Sequence, residues 1–382
     1  MHETLDSQAA RLRTQLAYDL VVDGVLHDSR WLRAFREVDR HAFLPRFFRQ
    51  LPDGMWGPVE QGDPDWLSLV YRDRVCVTQL DGDDGAWQQA LSDGAVRGVP
   101  TCSSSMPTIM AIMLEALQVR PGQSVLEIGT GTGYNAALLC HGLGDDLVTT
   151  VDVDPGVLGR AWTQLGAAGY QPTCVAGDGE LGWPDRAPYD RVLCTCAVSR
   201  VPPAWLTQTR PGGLVVTTLN RSIGAGLIRI VSDGEGRGEG RVLIEDGRFM
   251  PLRAHTHSTE LLALASDAKA DDRRRTALDA AVVIDPSSPF EFFAGLVLAD
   301  VVVGHGERGR AHLAHPDGSW ARLRQRHGGT TVEQGGPRRL WNLAEQGYRQ
   351  WHDLGKPRRD QFGVTVGPEG QFFQLGDLTW PL

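Results

Sequence analysis

The sequence predicts an α/β fold with a doubly wound, mostly parallel sheet, and three observations support this class. Val125, Leu126 and Ile128 form a short apolar strand that runs into a glycine-rich turn at 129–133, and Tyr134 begins an amphipathic helix. Helical patterns separate this strand from later ones. Because strands that alternate with helices favour a parallel sheet, we expect this arrangement for the centre of the chain. The further strands are expected at 147–154, 175–179, 189–197 and, after a helix end and a glycine turn, 206–218.

Length and composition set the expected domain organisation. The chain has 382 residues, of which 41% are hydrophobic, and this is enough to bury more than one core. We predict an N-terminal helical and irregular region at 1–99, an α/β core at 100–253 and an α+β extension at 254–382.

Charge and hydropathy exclude several classes of partner. A formal net charge of −9 and a pI of about 5.7 argue against nucleic acid. The apolar runs are far shorter than a membrane span, and the N-terminus lacks the basic flank and apolar core of a secretory signal. The six cysteines lack paired spacings, so reduced thiols are expected. We expect a cytoplasmic protein that binds neither nucleic acid nor a membrane.

Two pairs of potential metal ligands occur, and neither predicts a metal site. Cys194 and Cys196 would share one face of a strand, where cysteines mostly pack. His255 and His257 have no obvious third ligand nearby. We therefore expect no metal.

The first hundred residues begin with two helical patterns. Apolar residues recur at helical spacing from Leu5 to Leu20, and Asp28 or Ser29 is a candidate cap for a second helix that ends before Pro45. Residues 51–99 are expected to be irregular apart from a strand at 75–78, because Gly, Pro and Asp are frequent there.

A serine-rich segment precedes the next helix. Pro107 suits the first turn of a helix, so Ser105 or Met106 is expected at the N-cap. Two compatible interpretations of Ser105 stay open: it caps this helix, or it has a catalytic role.

The turn at 129–133 is the strongest functional signal. Gly129, Gly131 and Gly133 allow the backbone to approach a ligand closely, and the following helix directs its positive end to the same point. Asp152 ends the next strand, where a carboxylate accepts hydrogen bonds from ribose hydroxyls. The turn therefore predicts a ligand that contains a nucleoside.

Two ligands of this kind are candidates, a nicotinamide dinucleotide and S-adenosylmethionine. The dinucleotide stays open because 131–136 fits its looser glycine pattern. Glu127 favours S-adenosylmethionine, since a carboxylate before the turn can bind the ammonium of the methionine moiety and would repel a pyrophosphate. Asp178 lies in a Gly-Asp-Gly turn where the adenine amino group would lie. We predict S-adenosylmethionine as the cofactor.

Residues 100–252 resemble the protein L-isoaspartate O-methyltransferases. Weaker matches lie upstream, at Arg40-His-Ala-Phe-Leu-Pro and Tyr71-Arg-Asp. The resemblance implies a class I, Rossmann-like methyltransferase fold and an S-adenosylmethionine-dependent carboxyl O-methyltransferase. It rests on the serine segment 103–107, the run 125–134, the turn 177–179, Trp183, Ala-Pro-Tyr-Asp at 187–190, Val-Pro-Pro at 201–203 and Arg-Pro-Gly-Gly at 210–213.

The resemblance also implies the site residues. Ser105 falls on the family's active-site serine, with Ser103 and Ser104 beside it. The chain departs from the family by an insertion before the serine segment, by the residues around Ser105, and by the extension after Arg253, where repair enzymes are expected to end. The first two departures lie where a substrate peptide should bind. The implied cofactor-binding residues are Glu127, Gly129, Thr130, Gly131, Gly133, Asp152, Val153, Asp178, Gly179 and Thr195.

The whole chain most resembles the methyltransferases of ATP-grasp peptide maturase (graspetide) systems, through 100–107, 315–320 and 334–341. This implies methylation of an aspartate in a precursor peptide that an ATP-grasp ligase has macrocyclised, after which the ester closes to an aspartimide. Three alternatives stay open. They are isoaspartate repair of damaged proteins, the corresponding enzyme of a lanthipeptide pathway, and a cofactor-binding adaptor without catalytic activity.

The extension has its own pattern and a basic balance, with eleven Arg or Lys against eight Asp or Glu over 301–382. Trp320, Trp341 and Trp351 either help this basic segment grip an acidic precursor peptide or only pack. We predict a charged linker or exposed helix start at 267–276, a strand or buried helix at 296–303, a turn between strands at 315–320, an amphipathic helix at 338–354 and a hairpin at 362–375.

Overall fold

The computed structural model describes residues 4–255, 268–306, 310–326 and 329–382. The chain divides into two compact units. The first runs up to Cys196 and includes Pro202–Val216 and Val231–Gly236. The second contains Ala197–Val201, Thr217–Ile230 and the chain from Arg237 onward. The three ranges expected from the sequence stay a prediction.

The first unit begins with the two helices that the sequence predicts. They are α1 (Leu5–Val22) and α2 (Ser29–Glu37). Asp28 is the cap of α2, and its side chain accepts a hydrogen bond of 2.8 Å from the Arg30 N–H. Trp31 and Phe35 are buried. The apolar spacing and the cap residue were therefore sufficient to locate both helices.

Four strands between residues 46 and 104 form an antiparallel sheet, so the prediction of an irregular segment at 51–99 was wrong, whereas the strand predicted at 75–78 is confirmed at Cys76–Leu80. The strands are β1 (Arg46–Gln50), β2 (Trp56–Glu60), β3 (Cys76–Leu80) and β4 (Pro100–Ser104), in the order β2-β1-β3-β4. Helices α3 (Trp66–Val70) and α4 (Gly85–Asp93) lie between them in the chain. A core that includes Phe48, Leu80 and Trp87 holds this region together. These core residues are far apart in sequence, so no local pattern shows them together. The Gly, Pro and Asp residues between them therefore dominate the local sequence pattern.

The centre of the first unit is the predicted parallel sheet. Strands β5 (Val125–Ile128), β6 (Val148–Asp152), β7 (Thr173–Ala176) and β8 (Tyr189–Val198) pair in parallel in the order β8-β5-β6-β7. Because β8 returns to the other side of β5, the strand order reverses there, and ligands of open α/β sheets bind at the carboxyl ends of strands at such a point. The helices are α5 (Pro107–Ala116), α6 (Tyr134–Leu143), α7 (Pro155–Ala167) and α8 (Pro203–Thr207).

The next strand, β9 (Thr209–Leu219), corrects one detail. The sequence predicts a glycine turn before this strand, but residues 210–213 already lie within it. Strand β10 (Leu227–Ser232) follows.

The second unit contains two groups of antiparallel strands. Strands β12 (Asp272–Thr276), β13 (Val302–Gly306), β14 (Arg310–Ala314), β15 (Trp320–Arg326) and β16 (Gly329–Gly335) form a sheet in the order β12-β16-β15-β14-β13. Strands β11 (Gly238–Val242), β17 (Gly363–Gly367), β18 (Gly370–Leu375) and β19 (Leu378–Pro381) pair in that sequence. The helices are α9 (Ala280–Ile284), α10 (Glu291–Val297) and α11 (Leu340–Asp353).

Several predictions for the extension are confirmed. Residues 315–319 join β14 to β15, α11 is the amphipathic helix, and β17 with β18 is the hairpin. The region 296–303 holds the end of α10 and the start of β13 rather than one element. The predicted charged linker fits 268–271, which form neither helix nor strand, but it was wrong for 272–276, which is a strand; Asp267 lies outside the described residues.

The three tryptophans of the extension are core residues. Trp320, Trp341 and Trp351 are all buried. The indole N–H of Trp341 donates to Thr276 and that of Trp351 donates to the carbonyl of Pro357. These side chains pack inside the second unit, which favours the packing alternative for the three indoles; a grip on a peptide by the basic segment stays a prediction.

Within the described ranges, no helix combines the length and the apolar character that crossing a bilayer requires.

Candidate active site

The glycine turn between β5 and α6 is a tightly enclosed piece of backbone. Gly129, Gly131 and Gly133 have φ angles of 94°, 55° and 86°. A Cβ on Gly129 would lie 2.8 Å from both the Cys196 Sγ and the Thr195 Oγ1. Both the left-handed backbone and the lack of space require glycine at this position.

Threonine hydroxyls hold this turn in place. The Thr195 Oγ1 lies 2.8 Å from the Gly129 carbonyl oxygen and 3.1 Å from that of Ile128, and it donates to this pair. Thr130 is buried, and its hydroxyl is 2.7 Å from that of Thr150. Thr195 and Thr130 therefore support the turn through their side chains. Their predicted contact with a cofactor stays a prediction.

Glu127 lies at the centre of this support and is fully buried. The Asn135 amide donates to its Oε1 and the Thr150 hydroxyl donates to its Oε2, each at 2.6 Å. Burial raises the pKa of the Glu127 carboxyl to about 7; the hydrogen bonds from Thr150 and Asn135 act in the opposite direction, and the charge of Asp152 adds to the increase. Each carboxylate oxygen can still accept another hydrogen bond. Because the side chain is fully buried, Glu127 would act on a bound cation mainly through its charge.

Asp152 closes the other side of the turn. Its Oδ2 accepts the Gly131 N–H at 2.9 Å, and its Oδ1 accepts the Asp154 N–H at 3.0 Å. Val153 is exposed. The acid predicted to bind ribose therefore also fixes the glycine turn, which places both predicted elements of the nucleoside site together.

The third predicted acid lies on a neighbouring turn. Asp178 is exposed, and its Oδ1 accepts the Glu180 N–H at 2.9 Å. The Gly179 carbonyl accepts the Trp205 indole N–H at 2.7 Å. The Gly177 N–H donates to the Asp152 carbonyl at 3.0 Å, which brings this turn to the end of β6.

The serine segment lies against the glycine turn. A Cβ on Gly131 would be only 3.3 Å from the carbonyl oxygen of Ser103. Ser104 is 3% exposed, and within the described structure its Oγ has no hydrogen-bond partner. Of the three serines, Ser105 follows the strand and leads into α5.

Ser105 is not the cap of α5, so that interpretation was wrong. Met106 occupies the N-cap position and makes no side-chain cap bond. Asp73 supplies the cap instead: its two carboxylate oxygens accept the Thr108 N–H at 2.8 Å and the Thr108 hydroxyl at 2.7 Å. The catalytic interpretation of Ser105 stays a prediction, without the competing role.

Two further residues of this region were missed by sequence analysis. Asn135 binds Glu127, and the signal for it was a polar residue in the first turn of an otherwise apolar helix. Gln79 donates to the Asp154 Oδ2 at 3.3 Å and accepts from the Thr101 hydroxyl at 2.9 Å, which joins the antiparallel sheet to the end of β6. No local pattern indicated Gln79.

The candidate metal ligands take other roles. The Cys194 thiol lies 3.3 Å from the carbonyl oxygen of Cys196, to which it donates. The His255 Nδ1 accepts the Ser199 N–H at 2.8 Å, while His257 lies outside the described residues. In the described part of the chain, no three His, Cys, Asp or Glu side chains are grouped as metal ligands.

The fold and this site define the class of protein. A parallel sheet with a glycine turn after β5, an acid at the end of β6 and a second acid after β7 is the arrangement of class I methyltransferases. Comparison with known proteins leads to the family. The model of the family described as protein-L-isoaspartate(D-aspartate) O-methyltransferase matches residues 86–257.

Relatives of known name agree with this match. A protein-L-isoaspartate O-methyltransferase of Anaeromyxobacter dehalogenans is 40% identical over 152 residues, which is 39% of this chain and 71% of the relative. One from Methylorubrum extorquens is 30% identical over 232 residues, 61% of this chain and 84% of the relative. The chain belongs to the protein-L-isoaspartate O-methyltransferase family. The predicted class, a carboxyl O-methyltransferase that uses S-adenosylmethionine, is thereby confirmed.

A solved structure shows how far the shared fold extends. A structure titled protein-L-isoaspartate O-methyltransferase aligns with a TM-score of 0.54 and 22% identity over 95% of this chain and 99% of that one. The alignment reaches well beyond residue 257, so the expectation that repair enzymes end near Arg253 does not hold for that protein.

Proposed function

We propose that this chain transfers a methyl group from S-adenosylmethionine to the side-chain carboxylate of an aspartyl-derived residue in a peptide. The observation that carries the proposal is the contact of the serine segment with the glycine turn, where the Ser103 carbonyl lies 3.3 Å from the Cβ position of Gly131. Residues expected to hold the acceptor thus adjoin those expected to hold the methyl donor.

Three carboxylates fit the parts of the cofactor. Asp152 would accept from the ribose hydroxyls and Asp178 from the adenine amino group, while the charge of Glu127 would stabilise the ammonium. Gly131 and Gly133 both have positive φ angles in this turn, and a Cβ on Gly133 would lie 3.3 Å from the Cβ of Ala161. When bound, the cofactor supplies an activated methyl group on a sulfonium.

Methyl transfer to a carboxylate requires little from the protein beyond alignment of the reacting groups. A carboxylate is already ionised at neutral pH, so no general base is needed. Holding the carboxylate oxygen in line with the methyl carbon and the sulfur removes up to about 7–11 kcal/mol of the barrier. We assign this alignment to Ser105, whose hydroxyl would donate to the acceptor carboxylate and fix its direction. An Arg or Lys at that point would stabilise the anion more than the neutralising transition state.

For the substrate we propose an aspartate in a ribosomal peptide that an ATP-grasp ligase has macrocyclised, after which the ester closes to an aspartimide. The support is the resemblance of 100–107, 315–320 and 334–341 to graspetide-associated methyltransferases, together with the insertion expected between Tyr71-Arg-Asp and the serine segment and the altered residues beside Ser105.

A second candidate is repair of isoaspartyl residues. The names of the relatives favour it, and the region matched by the family model, 86–257, contains the whole candidate site. The fold match beyond residue 257 also removes the extension as an argument against it.

One experiment separates the candidates. The protein is incubated with S-adenosylmethionine and three substrates: a linear precursor, the same precursor after cyclisation, and an isoaspartyl peptide. Mass spectrometry that shows a methyl gain and then loss of methanol only on the cyclised precursor supports the first proposal. Methylation of the isoaspartyl peptide alone supports repair, and cofactor binding without turnover of any substrate would contradict both.

A further inference from the structure

Arg40 is a buried arginine whose partners converge on the serine segment. Its side chain is fully buried. One terminal nitrogen, Nη1, donates to the carbonyls of Val70 at 2.9 Å and Arg72 at 3.2 Å. The other, Nη2, donates to the carbonyls of Arg74 at 3.1 Å and Ser105 at 3.0 Å. One guanidinium therefore joins the loop 70–74 to the residue proposed to orient the acceptor.

The same guanidinium also reaches the helix that follows the glycine turn. Its centre lies 5.7 Å from the ring centroid of Tyr134, the first residue of α6. Tyr134 is itself buried and packs against Phe35 and Phe43. Arg40 thus connects Ser105 to the element that begins directly at the cofactor turn.

A second attachment fixes the other side of the segment. Asp73, from the same loop 70–74, holds the start of α5 through Thr108. Ser105 therefore lies between two anchors that both involve this loop. Arg40 binds carbonyls of the loop and of Ser105, and Asp73 belongs to the loop and holds Thr108. The backbone on either side of Ser105 has little freedom to shift.

We propose that Arg40 is a positioning residue that sets the place of the Ser105 hydroxyl relative to the methyl donor. The inference rests on the proposed function of Ser105. Arginine suits this role because its planar fork can bind four carbonyls at once, whereas a lysine ammonium is a point donor with three protons. A displacement of about 1 Å at a reacting group can cost on the order of 10²-fold in rate, so small shifts of the Ser105 carbonyl matter.

The chain offers a matched control in Arg191. This arginine is also buried, and it donates to the carbonyls of Leu117, Asp190 and Gln118, away from the serine segment. Arg40→Lys and Arg191→Lys thus make the same chemical change at two buried carbonyl clusters. A difference between the two variants reports on position rather than on loss of a buried guanidinium.

The test measures kcat, KM for the peptide that the wild type methylates, and the Kd of S-adenosylhomocysteine. We expect Arg40→Lys to lower kcat by at least about tenfold with the Kd changed less than about twofold, and Arg191→Lys to leave kcat near the wild-type value. Because Arg40 acts through Ser105, Arg40→Lys combined with Ser105→Ala should be no slower than Ser105→Ala alone. Equal kcat losses in both lysine variants, or additive losses in the double variant, would overturn the proposal.

A variant on the other anchor covers the case in which Arg40→Lys does not fold. Asp73→Asn weakens the hold on Thr108, and it should lower kcat without changing the Kd of S-adenosylhomocysteine. An unchanged kcat in that variant would count against positioning by this loop. If the wild type methylates none of the substrates, the proposed function itself is refuted. The comparison of the two lysine variants tests only the positioning role of Arg40.

Discussion

Replacing Glu127 by glutamine should remove a pH dependence of stability that the buried carboxyl creates. The pKa of this carboxyl is raised from 4.5 to about 7, mainly by burial. A raised pKa in the folded state means that an acid favours folding below its unfolded pKa and that this contribution is lost as the pH rises through the folded pKa. The loss therefore falls between about pH 4.5 and pH 7 and is on the order of a few kcal/mol, most of which lies between pH 5 and pH 8.

Glutamine can keep the hydrogen bonds of this position while losing the charge. Its oxygen can accept from Asn135, and its NH₂ can donate to the Thr150 hydroxyl, whose own proton can turn to Thr130 at 2.7 Å. The variant should therefore gain stability relative to the wild type, on the order of a few kcal/mol, on going from pH 5 to pH 8.

The assay is urea unfolding of both proteins, without cofactor, at pH 5 and pH 8. Asp146→Asn serves as the control, since it makes the same kind of change at an exposed carboxylate. The reasoning about Glu127 fails if the stability difference between Glu127→Gln and the wild type is the same at both pH values, or if it moves in favour of the wild type at pH 8.

Three further predictions concern the site. Ser105→Ala should lower kcat by about tenfold or more while the Kd of S-adenosylhomocysteine, measured by calorimetry, stays nearly constant; an unchanged kcat would leave Ser105 without a catalytic role. Asp152→Asn should weaken the binding of S-adenosylhomocysteine by about tenfold or more, since a hydrogen bond to a charged group contributes roughly 1.5–3 kcal/mol. An unchanged Kd would exclude the ribose contact. Gly129→Ala should abolish cofactor binding, because its φ of 94° and a Cβ contact of 2.8 Å both oppose a side chain. Gly122→Ala, with φ of 82° and open space around the Cβ, should keep binding at a cost of about 1–2 kcal/mol in stability. Comparable binding by the two alanine variants would contradict the account of the turn.

Local patterns were enough to predict the centre of the fold. The strand before Gly129, the helix from Tyr134 and the acids Asp152 and Asp178 all follow from apolar spacing and from glycines within one strand-turn-helix unit. The distant partners that hold the predicted residues could not be found in this way. Glu127 is bound by Thr150, 23 positions further along the chain, and Arg40 binds the carbonyl of Ser105, 65 positions away.

The antiparallel sheet at 46–104 shows the same limit. Its strands are short, and Gly, Pro and Asp between them dominate any local average. The core that stabilises it brings Phe48 together with Trp87 at a distance of 5.2 Å between ring centroids. The two residues are far apart in the chain, so a short stretch of sequence cannot show this contact. The role of the tryptophans of the extension stayed open between two alternatives for a related reason, since only packing decides whether an indole is buried.

The most direct check of the central claim is a calorimetric titration of the full-length wild type with S-adenosylhomocysteine and, separately, with NAD. The claim is that the edge of the sheet formed by Glu127, the glycine turn and Asp152 holds a sulfonium nucleoside beside Ser105. We predict one site per chain for S-adenosylhomocysteine and no heat of binding for NAD. Binding of NAD with none for S-adenosylhomocysteine would contradict it.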